Sequence, residues 1–147
     1  MLIFFLLLGC GHIIMAQESQ KPALTDTALS AKVCGIWLIE GEALNGNAHQ
    51  SVRMTLATNG EYMIVRKTKM TGGPSKGAES TRTSMGTWSV KDGCLVMTKL
   101  KTRSADGDIQ QLSKPEISTI KIARVNDKEM VYSGEATGQE MTWNRSK

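Results

Sequence analysis

From Cys34 onward, apolar and polar residues alternate with a period of two, interrupted at short intervals by turn-forming residues. In Cys34–Gly41, Ile36 and Leu38 fall on one face and Trp37 and Ile39 on the other. In Ser51–Ala57, Val52, Met54 and Leu56 alternate with Ser51, Arg53 and Thr55. Asn59-Gly60 then forms a hairpin signal. Further segments of the same kind are expected at Glu61–Met70, Ala78–Val90, Cys94–Thr102, Glu116–Val125, Glu129–Glu135 and Gln139–Arg145. Asp26 is expected to cap a short helical turn at Thr27–Lys32, ahead of the first strand. The intervals between strands are too short for crossover helices, so neighbouring strands must run antiparallel. The expected fold is all-β: an eight-stranded antiparallel up-and-down barrel with a short N-terminal helical turn. Closure removes the exposed edges. Two packed sheets are the alternative architecture.

Because a meander alternates direction, it sorts residues by end. Trp37 lies near the start of the first strand, Trp88 near the end of the fourth and Trp143 near the end of the eighth. All three tryptophans therefore belong at one end, with Cys34 and Cys94. The turns expected at that end are tight and rich in Asn, Asp and Gly. The opposite end receives Gly41–Gln50, Thr71–Gly77 and Arg103–Pro115, all expected to be loops. This predicts a plugged floor and an open mouth, and loops at a mouth are a common place for function.

Composition sets the leader apart from the barrel. Residues 1–16 are almost wholly apolar, carry no formal charge and are too short to span a bilayer, so they read as a signal peptide. Residues 17–26 read as a polar tether, and 27–147 as the barrel domain. Two cleavage readings stay open. "IMAQ" fits a cut after Ala16, whereas "LLGC" fits a lipobox that would leave Cys10 as a lipid anchor. Apolar residues rather than a polar tether follow Cys10, which favours Ala16. Either way the chain is expected to leave the cytoplasm, as a secreted or periplasmic protein or an outer-membrane lipoprotein. In an oxidising compartment Cys34 and Cys94 would be candidates for one disulfide, with two free thiols as the alternative. Both phenylalanines leave with the leader, so the core must use tryptophan, tyrosine, aliphatics and seven methionines.

The frames Gly35-Ile36-Trp37 and Gly86-Thr87-Trp88 carry a family resemblance. The first, on an opening strand after a helical turn, resembles the Gly-x-Trp signature of lipocalins. The second, followed by Asp92-Gly93 and "CLVMTKL", resembles a hairpin of secreted bacterial lipocalin-like domains. In lipocalins a basic residue of the last strand packs over the first-strand tryptophan, and Arg145 in "TWNR" matches that role. The resemblance covers about residues 27–145. It implies a calycin-type barrel in which Gly35, Trp37, Gly86, Trp88, Trp143 and Arg145 build the floor. The chain lacks the long helix near the C-terminus of larger lipocalins and has no clear second or third lipocalin motif.

The interior follows from the alternation. If Trp88 points inward, so do Gly86, Ser84, Arg82 and Ser80. On the third strand the face of Tyr62 and Ile64 also carries Arg66 and Thr68. Arg66, Arg82, Tyr62 and Ser84 are thus the candidate ligand-binding residues, with an anionic amphiphile as partner for the guanidinia. A bulge near Thr83 would instead turn Arg82 outward. "RKTKM" and "KLKTR" place further cations near the mouth, read as a solvated outer face or as a docking site for anions. The net charge of +4 is too sparse to indicate nucleic acid. No cofactor or metal motif occurs, and His49, in an expected loop, has no evident catalytic partners. The expected function is non-catalytic binding of a small apolar or amphipathic molecule. The alternative is a filled-core structural or interaction module of an envelope assembly.

Overall fold

The structure, a computed structural model, describes residues 24–133 and 140–146. The leader, Cys10 and most of the expected tether lie outside the described residues. One helix, α1 (Asp26–Val33), precedes eight strands: β1 (Gly35–Ala43), β2 (Ala48–Leu56), β3 (Glu61–Met70), β4 (Glu79–Lys91), β5 (Cys94–Arg103), β6 (Ile109–Val125), β7 (Glu129–Ser133) and β8 (Glu140–Arg145). Each strand pairs antiparallel with its neighbour, and β8 returns to β1 to close the barrel. The closing ladder is short, pairing Trp37 with Arg145 and Leu38 with Asn144.

Period two is kept where it was read most easily. Trp37, Val52, Met54, Leu56 and Tyr62 are all buried, and register neighbours Trp37 and Met54, then Leu56 and Tyr62, share the inner face. With Leu29 and Val33 of α1 they join Leu95, Met97, Met130 and Trp143 in one core at the floor end.

The mouth differs from expectation. β1 and β2 run on to residues 43–48, leaving a connection of residues 44–47. β6 begins at Ile109, so the connection after β5 is residues 104–108 rather than Arg103–Pro115. Pro115 lies inside a strand after all. It falls where the register jumps from Lys99↔Glu116 to Lys101↔Gln111, a position that leaves no ladder bond for a proline to break. His49 likewise belongs to β2, not to a loop.

The helix cap is also reassigned. Thr25 is the N-cap, its Oγ1 accepting from Ala28 N at 3.3 Å. Asp26 turns instead to the β4–β5 turn, accepting from Asp92 N at 2.9 Å and Gly93 N at 3.0 Å. α1 is thereby held at both ends and crosses beneath the barrel from the β4–β5 turn to the start of β1.

Candidate functional site

The floor is assembled around Trp37. Its side chain is wholly buried, and Nε1 donates to Val33 O at 2.7 Å. The Arg145 guanidinium lies 4.2 Å from the centre of the indole, a stacking attraction of about 0.5–2 kcal/mol depending on desolvation. The same guanidinium donates to Cys34 O at 2.9 Å and to Lys32 O, both at the C-terminal end of α1. A cation there also answers the negative pole of the helix. Trp88 is half-buried and closes the β2–β3 turn, with Nε1 donating to Ala57 O at 2.9 Å. Trp143 is buried, and its ring centre is 6.5 Å from that of Tyr132. Trp143 Nε1 and Arg145 Nε are buried without hydrogen-bond partners.

The two glycine frames serve different neighbours. Gly35 has φ +137, and a Cβ there would run into the Arg145 guanidinium. Gly86 faces β5, where a side chain would collide with the Thr98 carbonyl. The reason is a bulge. β4 residues Met85 and Gly86 oppose Lys101 and Lys99, so Leu100 is the extra residue and the β5 backbone presses inward.

That bulge decides the face of Arg82. Because the extra residue is on β5, β4 stays in unbroken register with β3 from Thr87 to Glu79. Tyr62, Ile64 and Arg66 oppose Gly86, Ser84 and Arg82, and all share the inner face. Together with Met97, Lys99, Glu116 and Ser118 they line a cavity of ≈ 230 Å³. All four residues expected in a ligand site, Tyr62, Arg66, Arg82 and Ser84, are brought together in its wall.

On β3 the cavity wall runs from Tyr62 and Ile64 on the floor side to Arg66 on the mouth side, with Arg82 opposite Arg66, while Lys99 and Glu116 stand in the register row of Tyr62 and Gly86. Burial, and secondarily the charge of Glu116, push the Tyr62 phenol above its ordinary pKa. Lys99 pairs with Glu116 across β5 and β6. Arg66 and Arg82 make no hydrogen bond or ion pair with any described residue. Lys99 was expected among the outward cations of "KLKTR". It faces inward by plain alternation with the buried Leu95 and Met97, and Glu116 meets it in the unbroken register that runs from Cys94↔Lys121 to Lys99↔Glu116. Alternation along β5 and β6 already carries both inward positions, and the irregularities begin only beyond them. From "RKTKM", Lys67 and Lys69 do face outward, and Lys69 pairs with Glu79 at 2.9 Å.

Larger hollows lie on the outer wall. One of ≈ 360 Å³ includes Met63, Met85 and Leu100, and one of ≈ 410 Å³ includes Leu38, Arg53 and Val65. They are troughs between outward side chains of adjacent strands, lying outside the barrel.

The expected disulfide is not formed. Cys34 and Cys94 are free thiols, and Cys34 Sγ donates to Leu56 O at 3.1 Å. The helix itself separates them. Cys34 follows its C-terminus, Cys94 adjoins the turn held by Asp26 at its N-terminus, and eight helical residues span roughly 12 Å, whereas bridged Cα atoms are at most about 7 Å apart.

His49 is exposed on the outer wall, with Glu42 and Lys69 as register neighbours. Among the described residues no group of three or more His, Cys, Asp or Glu is placed to hold a metal ion. No described helix is long and apolar enough to cross a membrane. No protein-family model matches the chain, and no curated protein is similar to it.

Proposed function

We propose that this chain is an exported, lipocalin-like barrel that binds a small amphipathic molecule in its interior without transforming it. The observation that carries this reading is the polarity of the cavity: Tyr62, Ile64 and Met97 below, Arg66 and Arg82 above. An amphipathic ligand would match that division, with its tail toward the floor and its head among the guanidinia. Buried methionines bear on the filled-core alternative. Met54, Met97 and Met130 pack at the floor, while the middle of the barrel keeps its open volume. The stacking of Arg145 on Trp37 supports the lipocalin-like assignment. Export rests on the leader, and N-terminal sequencing of the mature protein would distinguish a cut after Ala16 from processing at Cys10.

Titration with anilinonaphthalene sulfonate, an anionic amphiphile that brightens in apolar surroundings, tests the site. Wild type is expected to enhance its fluorescence saturably. Ser84→Phe, which fills the cavity from β4, is expected to abolish that response with the fold retained by circular dichroism. An unchanged response in Ser84→Phe would place the dye in the outer troughs and sink the interior-ligand reading.

A further inference from the structure

Arg66 and Arg82 do more than share a cavity. They are direct partners in the β3–β4 register, both on the inner face. Like charges directly opposite on paired strands destabilise a sheet. No described residue relieves them. The one carboxylate in the cavity wall, Glu116, is occupied by Lys99 on the neighbouring strand. The cavity wall therefore carries one matched ion pair and two guanidinia without a described partner, on directly paired and solvent-exposed positions of β3 and β4.

We infer that the head group recognised here is a dianion, a phosphate monoester bridging Arg66 and Arg82, on a compact apolar tail. This rests on the interior being a ligand site. A carboxylate would neutralise one of the two guanidinia and leave the other unmatched. A phosphate monoester brings close to two charges and three acceptor oxygens, so each guanidinium can take a bidentate contact. Size limits the tail. At about 30 Å³ per water-sized group, ≈ 230 Å³ holds a head group and a handful of carbons, not a long acyl chain. Tyr62, Ile64 and Met97 form the surface against which that tail would pack.

The test is calorimetric titration with hexyl phosphate and hexyl sulfate, which share shape and tail but differ in charge. At pH 8 the phosphate is expected to bind roughly tenfold or more tightly. Between pH 8 and pH 5 its affinity is expected to fall about tenfold, because its second pKa lies near 6. Charged or titratable groups facing the head are Tyr62 and Arg66 on β3, Arg82 on β4, Lys99 on β5 and Glu116 on β6. Any change in their charge would move the sulfate as well, and the sulfate is expected to stay level. Arg66→Gln and Arg82→Gln, each checked for folding by circular dichroism, are expected to erase the preference for phosphate. Glu116→Gln, which frees Lys99, is expected to tighten both ligands. Inorganic phosphate is expected to bind more weakly than hexyl phosphate; equal binding would overturn the role of the tail. Equal affinity for sulfate and phosphate, or a preference that survives both Arg variants, would overturn the dianion while leaving the ligand site standing. If neither alkyl ligand binds and the dye response is also absent, both proposals fall.

Discussion

The floor and the middle of this barrel treat charge in opposite ways. At the floor the Arg145 guanidinium is stacked on Trp37 and bonded to two carbonyls at the end of α1, and the Asp26 carboxylate takes two backbone N–H groups. A few residues higher, Arg66 and Arg82 oppose each other with no acceptor among the described residues. The first arrangement ties charge into the fold, whereas the second leaves two like charges on paired, solvent-exposed positions. Under the proposed function, stability and recognition divide along the barrel axis, and residues should separate into those needed for folding and those needed for binding.

Substitutions at the two levels can break or sharpen this contrast. The largest effect is expected at Trp37. Trp37→Ala empties the centre of the floor, and chemical denaturation should show a loss of about 3–5 kcal/mol. A loss below about 1 kcal/mol would mean that the floor does not anchor the barrel. Next comes Arg145→Ala, which removes the stacked cation and both carbonyl contacts, for an expected loss of about 2 kcal/mol. Arg145→Lys should recover little of it, since one ammonium cannot reproduce the planar stack and the fork together. The smallest effect should have the opposite sign. Without ligand, Arg82→Gln is expected to gain a few tenths of a kcal/mol by relieving the opposed charges, read as a small rise in Tm. A clear loss would show that Arg82 serves the fold, and the contrast would fail.

The sequence carried the parts of this picture that depend on alternation and direction. β3 is found at Glu61–Met70 as read, and Trp37, Trp88 and Trp143 reach one end because strands one, four and eight do. Arg66 and Arg82 were legible as inward because both strands keep period two through them. What escaped depends on irregularities or on contacts between distant segments. Leu100 is an ordinary apolar residue in an alternating run, with no local sign that it is the bulge. Lys99 shares the inward parity of Leu95 and Met97, and Glu116 that of Ser118, but their meeting depends on the β5–β6 register, which alternation alone does not set. Asp26 resembles a helix cap in sequence, and only the fold places the β4–β5 turn within its reach. The disulfide failed for the same reason, because helix length, not cysteine count, sets the separation of Cys34 and Cys94.

The crossing of α1 beneath the barrel also constrains the order of folding. The helix is the first described element of the chain, but its fastenings come late. Asp26 binds residues 66 and 67 positions downstream, and the Cys34 carbonyl binds Arg145, 111 positions on. During synthesis the helix must wait, exposed or loosely collapsed, until the eighth strand has emerged. Contacts of such long range place folding in the millisecond-to-second regime typical of β-barrels. A chain halted before Arg145 has strands enough for a sheet, but it lacks the residue that both stacks on Trp37 and ties the helix in place. The plug is the first piece of the barrel to be made, and it cannot be locked until the last strand arrives.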